Sequence, residues 1–119
     1  MERVDFNEAY AISAVLNHAY IVDCDFRRAF FNCAANFGEA YLNNNELKGA
    51  YFEGAHFENA YLIDNDFQDA HFEHAHFEDA IIIGSYLFDA HFEGAWYNGK
   101  TVFPRGFDPD KHGMKMIEY

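Results

Sequence analysis

The sequence predicts an all-β solenoid of about five coils, closed by a cap at its C-terminal end. Three observations carry this. An apolar residue recurs at every fifth position: Leu42, Leu47, Phe52, Phe57, Leu62, Phe67, Phe72, Phe77, Ile82, Leu87, Phe92 and Tyr97. A small residue sits two positions before each, Ala throughout except at Asn45, Asn65 and Ser85. A second period of twenty aligns residues 41–60, 61–80 and 81–100 without a gap. A period of five suits no ordinary element. On a helix of about 3.6 residues per turn it would smear the apolar residues around the cylinder. On a flat strand it would send them to alternate faces. A fixed period outside both argues for stacked short units, four to a coil, with coils one strand spacing apart at ~4.8 Å.

Taken in order, residues 4–31 carry the same unit in another phase. Central positions are Phe6, Ala11, Leu16, Ile21, Phe26 and Phe31, with small partners Val4, Ala9, Ala14, Ala19, Cys24 and Ala29. The next central residue, Phe37, comes six positions on, so one residue is inserted near 33–36, around Cys33-Ala34-Ala35. A bulge that relaxes coil twist is expected there. With that shift allowed, Val4, Cys24, Asn45, Asn65 and Ser85 share one column. Stacked Asn45 and Asn65 are expected to form a side-chain amide ladder, since buried polar groups need partners.

The repeats run from about 4 to 100, and residues 1–119 form a single domain. Beyond them Pro104, Gly106, Pro109 and Gly113 mark turns, while Phe103 and Phe107 are placed to cover the last coil. Residues 101–119 therefore read as a cap, which a solenoid needs to hide its open edge. The N-terminal end reads as bare, since repeat-like sequence starts by Val4 and no capping helix is expected before it. That edge is expected to pair with another copy, giving a homodimer or larger assembly through the N-terminal coil.

The unit resembles that of the pentapeptide-repeat family, which reads roughly A-(D/N)-L-x-x, and the resemblance covers nearly the whole chain. It implies a right-handed quadrilateral β-helix. The chain departs from the family at the position before the central residue. Where the family favours Asp or Asn, this chain has Tyr41, Tyr51, His56, Tyr61, His71, His76, Tyr86, His91 and Trp96. Outer faces unusually rich in aromatic rings are expected. The run from Phe103 to Pro109, F-P-R-G-F-D-P, resembles tails that close many cyanobacterial members.

Charge and composition narrow the function. A net charge of -12 disfavours nucleic acid and anionic membranes as direct partners. No segment reaches the ~20 apolar residues of a membrane span. The opening MERVDFNEAY lacks a signal-peptide hydrophobic region, so the cytoplasm is the expected compartment. Cys24 and Cys33 have no metal or redox spacing and read as reduced structural thiols. Neither a phosphate loop nor a nucleophile motif is present, and a rod without insertions offers no obvious pocket. No enzyme activity and no cofactor are expected.

The leading expectation is a rigid scaffold for an unknown protein partner or for copies of itself. Aromatic residues dominate binding hot spots. The contact candidates are therefore Tyr51, His71 and His91 on one column, and His56, His76 and Trp96 on the next. Two alternatives stand beside it. Some members of the family that the chain resembles present a DNA-like acidic rod to DNA gyrase. Five coils of ~4.8 Å would spread the charge to ~0.5 per Å, against ~0.6 for the duplex. The other alternative is a metal ion held by stacked His and Glu columns. The motif A-H-F-E recurs at 55–58, 70–73, 75–78 and 90–93, setting His71 over His91 and His56 over His76. His56, His71, His76 and His91 with Glu73 and Glu93 would be its ligands. The expectation is instead that outward rings stack on like rings and hold no dedicated metal.

Overall fold

The computed structural model describes residues 2–6, 8–9, 15–31 and 35–118. The chain winds into a four-sided β-solenoid of about five coils, with one five-residue unit on each side. One side is a parallel sheet of four short strands, β1 (Tyr20–Val22), β2 (Tyr41–Asn43), β3 (Tyr61–Ile63) and β4 (Ile81–Ile83), in sequential order. The other sides pair through single bridges, such as Asp66 with Tyr86, His71 with His91 and His56 with His76. Two more strands, β5 (Trp96–Asn98) and β6 (Lys115–Ile117), pair at the C-terminal end. Among the described residues, helix is confined to one 3-10 turn at Asp110–His112.

The five-residue period follows from the corners. At the corners where the small residue is Ala, the central residue opens a turn whose fourth residue is that Ala: Ala55 N–H donates to the Phe52 carbonyl at 2.9 Å, and Ala75 N–H to that of Phe72 at 3.0 Å. The third residue of the turn has positive φ, +61° at Asn59 and +60° at Asp69, as a type II turn demands. Asn, Asp and Gly fill this position most often because they tolerate the left-handed region best. Ala at the corner is fully buried, as are the central rings Phe52, Phe57, Phe67 and Phe77. Those rings stack down the axis, Phe37 on Phe57 at 5.0 Å and Phe57 on Phe77 at 5.2 Å, and meet edge-on across the coil.

The phase shift is recorded by register. Phe30 pairs with Tyr51, twenty-one positions on, whereas Asn36 pairs with His56, twenty positions on. The extra residue therefore lies between them. The shape of the bulge, and the places of Ala11, Ala14 and Cys33, lie outside the described residues. The polar ladder forms as expected. Asn65 Oδ1 accepts from the Asn45 backbone N–H and from Asn45 Nδ2, both at 3.0 Å. Asn45 Oδ1 accepts from Cys24 N–H at 2.8 Å, and Ser85 Oγ from Asn65 N–H at 3.3 Å. Asn65 Nδ2 and Ser85 Oγ donate to the carbonyls of Leu42 and Leu62, so the polar column is tied to main chain along its length.

The cap does more than cover the last coil. Phe107 meets Phe92 edge-on at 5.2 Å, and Phe103 meets Tyr97 at 5.5 Å. The chain then returns as β6 and adds a parallel strand to β5, which the turn residues of this segment did not announce. Val102 continues the first side by pairing with Ile81. Buried Asn98 closes the interior. Its Oδ1 accepts from Asp79 N–H at 3.0 Å, and Thr101 Oγ1 donates to the Phe77 carbonyl at 2.8 Å. Tyr97 latches the cap by donating to Asp110 at 2.8 Å, and this bond raises its phenol pKa above the ordinary value.

Candidate functional site: the four outer faces

Apart from the polar ladder on one corner, the interior is built alike on every side, and the sides differ most on their outer faces. In a strand the residues flanking the buried centre point outward. On the sheet side these are Tyr20 and Val22, Tyr41 and Asn43, Tyr61 and Ile63, Ile81 and Ile83. Tyr20, Tyr61 and Ile83 are about half exposed, at 56%, 47% and 50%. Tyr20 stacks on Tyr41 at 5.0 Å, and Tyr41 leans on Tyr61 at 6.5 Å. Past the corner, exposed Tyr86 and Phe88 stack on each other at 6.1 Å. Tyr41, Tyr61 and Tyr86 are outward aromatic residues as expected, but the aliphatic residues beside them, Ile63, Ile81 and Ile83, extend the surface beyond what was expected. The signal was present in YLI and III, where both outward positions are apolar.

The next side is the acidic column Asp25, Glu46 and Asp66, ending at Tyr86. The Arg27 guanidinium forks onto Asp25, Nε to Oδ1 at 2.9 Å and Nη2 to Oδ2 at 2.7 Å. Those bonds hold the Asp25 carboxyl below the usual carboxylate range.

The predicted contact residues fall on the remaining two sides, in the columns expected. Phe30, Tyr51, His71 and His91 form one continuous stack with every ring spacing 4.6 Å and ring planes within 7° of parallel. His56 stacks on His76 at 4.7 Å and His76 on Trp96 at 6.4 Å, with Lys115 Nζ 5.2 Å from the Trp96 ring centre.

At three of the four A-H-F-E units the Glu turns back beside the His two residues before it. His56 Nδ1 lies 3.2 Å from Glu58 Oε2, His71 Nδ1 3.4 Å from Glu73 Oε2, and His76 Nδ1 3.5 Å from Glu78 Oε2. Two groups result, His56–Glu58–His76 and His71–Glu73–His91, each with its ligand atoms within 4.8 Å of one another. Of the residues that the sequence offered as ligands, His56, His71, His76, His91 and Glu73 are brought together. Glu93 is not among these groups, and Glu58 is. Glu58 follows His56 by two residues on the same coil and reaches its imidazole, whereas Glu93, in the same place after His91, lies against Gly113 of the cap.

The architecture defines the class: a four-sided parallel β-solenoid with one five-residue unit per side and no large insertion among the described residues. The sequence comparison agrees, since residues 46–91 match the family model for pentapeptide repeats (9 copies). No curated protein matches the chain. Solved pentapeptide repeat proteins share the fold. The protein alr5209 from Nostoc PCC 7120 is 29% identical with a TM-score of 0.60, over 97% of this chain and 86% of its own. HetL from Nostoc sp. strain PCC 7120, involved in heterocyst differentiation regulation, is 21% identical with a TM-score of 0.75, over 82% of this chain and 42% of its own. A protein of the Arabidopsis thaliana thylakoid lumen is 29% identical with a TM-score of 0.63, over 76% and 56%.

Proposed function

We propose that the chain is a non-enzymatic scaffold that binds another protein, or a second copy of itself, through the outward face of β1–β4. The observation that carries this is the half-exposed apolar surface of Tyr20, Tyr61 and Ile83 on a parallel sheet. Parallel sheets are normally covered on both faces. Contiguous exposed apolar surface with a polar surround marks interaction sites. Outside the two His–Glu–His groups, charged side chains stand in columns along the rod. Of the other contact candidates, the His56–His76–Trp96 column adjoins this face and the Tyr51–His71–His91 column lies on the opposite side. The cytoplasm remains the proposed compartment, and among the described residues no helix is long and apolar enough to cross a membrane.

The acidic-mimic alternative is weaker than the sequence suggested. The molecule is 36 Å long, so a net charge of -12 gives about 0.3 per Å, roughly half the ~0.6 of duplex DNA.

The test is affinity capture from lysate with three proteins side by side: wild type, Tyr61→Ser/Ile83→Ser, and Tyr51→Ser/His71→Ser/His91→Ser. A species captured by wild type and by the triple variant, but lost with the sheet-face variant, supports the proposal. Loss with the triple variant alone moves the contact to the Tyr51 column. Sedimentation velocity on the same three proteins reads self-association. If wild type associates and the sheet-face variant associates equally, the contact between copies belongs at the N-terminal coil instead.

A further inference from the structure

We infer that the His56–Glu58–His76 and His71–Glu73–His91 groups are two binding sites for a zinc-class divalent cation, one on each of two adjacent sides of the solenoid. The inference is independent of the sheet-face reading. It rests on donor chemistry, spacing and unpartnered oxygens.

Two imidazoles and a carboxylate form a ligand set suited to Zn²⁺, Cu²⁺ or Ni²⁺, and the nitrogen donors disfavour Mg²⁺ and Ca²⁺. With Zn–N and Zn–O bonds of about 2.0–2.2 Å, tetrahedral donors stand about 3.3–3.5 Å apart. His56 Nδ1 to Glu58 Oε2 is 3.2 Å and His71 Nδ1 to Glu73 Oε2 is 3.4 Å. Two of the three donors in each group are thus already at the right separation. The third, on the coil above, lies within 4.8 Å. To join, it must turn out of the parallel stack. A cross-strand ring pair is a weak contact and holds less than a coordinate bond supplies. The side chains of His56, His71 and His76 are about a third exposed, which leaves the rings room to turn and leaves a fourth position to water. At the first group an open hollow of about 340 Å³, lined by His56, Glu58, Asn36 and Asn59 among others, provides entry.

The carboxylates supply the second observation. Glu58 Oε1 and Glu73 Oε1 are shut off from solvent and have no hydrogen-bond partner. A buried acceptor left unpaired is costly, and more so when charged. Coil stacking adds to the cost. Glu58 falls in one column with Glu78, and Glu73 lies between Glu53 and Glu93, so like charges face each other in a chain already at -12. A divalent cation on Oε2 would neutralise the carboxylate that carries the orphaned Oε1 and screen the column in one step.

The experiment is titration of chelator-treated full-length chain with Zn²⁺ by calorimetry, and with Co²⁺ by visible absorption, at pH 7.5. Two equivalents per chain are expected, with the intense d–d bands of low-coordinate Co²⁺. His76→Asn and His91→Asn should each lose one equivalent, and the double variant both, with the β-type circular dichroism retained. A readout on wild type alone guards against misfolded variants. The imidazole ¹⁵N resonances of His56, His71, His76 and His91 should shift on adding Zn²⁺, while those of His18, His74 and His112 stay. Wild-type binding no tighter than about 1 mM, undiminished stoichiometry in the double variant, or shifts spread over all seven imidazoles would overturn the inference.

Discussion

Leu62 and Tyr61 are chain neighbours in β3, and they obey different rules. Leu62 is buried in a column with Leu42 and Ile82, and its counterparts on the other sides are Phe or Leu. Tyr61 faces solvent in a column of Tyr20, Tyr41 and Ile81, while the outward columns of the other sides are acidic, Tyr–His or His–Trp. Inside, all four sides solve one problem, filling a narrow core with a stack of like side chains. Outside, each side has its own chemistry. Stability is therefore set by the inner columns, and whatever the protein recognises is set by the outer ones.

The largest effect expected from breaking this division is Phe57→Ala. The ring is fully buried between Phe37 and Phe77, and removing it should cost about 3–5 kcal/mol by urea unfolding, or prevent folding outright. The same change at outward His56 should cost far less. Ala55→Leu comes next. The corner methyl is fully buried, so the larger side chain overpacks the coil for about 1–3 kcal/mol. Asn65→Ala should fall in a similar range, about 1–3 kcal/mol, because it strands the Asn45 donors that share Asn65 Oδ1.

The smallest effects lie at the rim, and pH reveals them. Arg27 holds the Asp25 carboxyl below its ordinary value, so the folded chain favours the ionised form. That contribution is present above the unfolded pKa and fades as pH falls through the lowered folded value. Wild type and Asp25→Asn should differ slightly in melting temperature at neutral pH and converge in strong acid. Tyr97 has the opposite sign. Its raised pKa, due first to the bond to Asp110, favours the neutral phenol in the folded chain. Its contribution is present below the unfolded pKa and lost as pH rises through the folded one. Wild type and Tyr97→Phe should converge in strong alkali.

Much of the inner architecture was legible because a repeat is written many times over. Twelve central residues in register leave one solution, and the Asn45–Asn65 ladder followed from column arithmetic alone. The one-residue shift was also visible, since Phe37 comes six positions after Phe31. The cap was legible only in part. Phe103 and Phe107 announced a cover, but Lys115–Ile117 is too short and too mixed to announce a strand, and its pairing is set by β5 beneath it. The outer faces were the least legible. Tyr61 stood out as an outward aromatic residue, but its aliphatic neighbours Ile63, Ile81 and Ile83 hid inside ordinary repeat positions. The Glu that joins each His pair depended on how a side chain turns back at a corner, which spacing alone does not fix.

The division between inside and outside is tested most directly by urea unfolding of Tyr61→Ser/Ile83→Ser beside Leu62→Ala. The account predicts that the outward double variant loses only about 1 kcal/mol or less, as surface positions do, while Leu62→Ala loses about 2–5 kcal/mol. Equal losses would contradict it, because Tyr61 and Ile83 would then be held in place by the fold itself and not kept free for a partner.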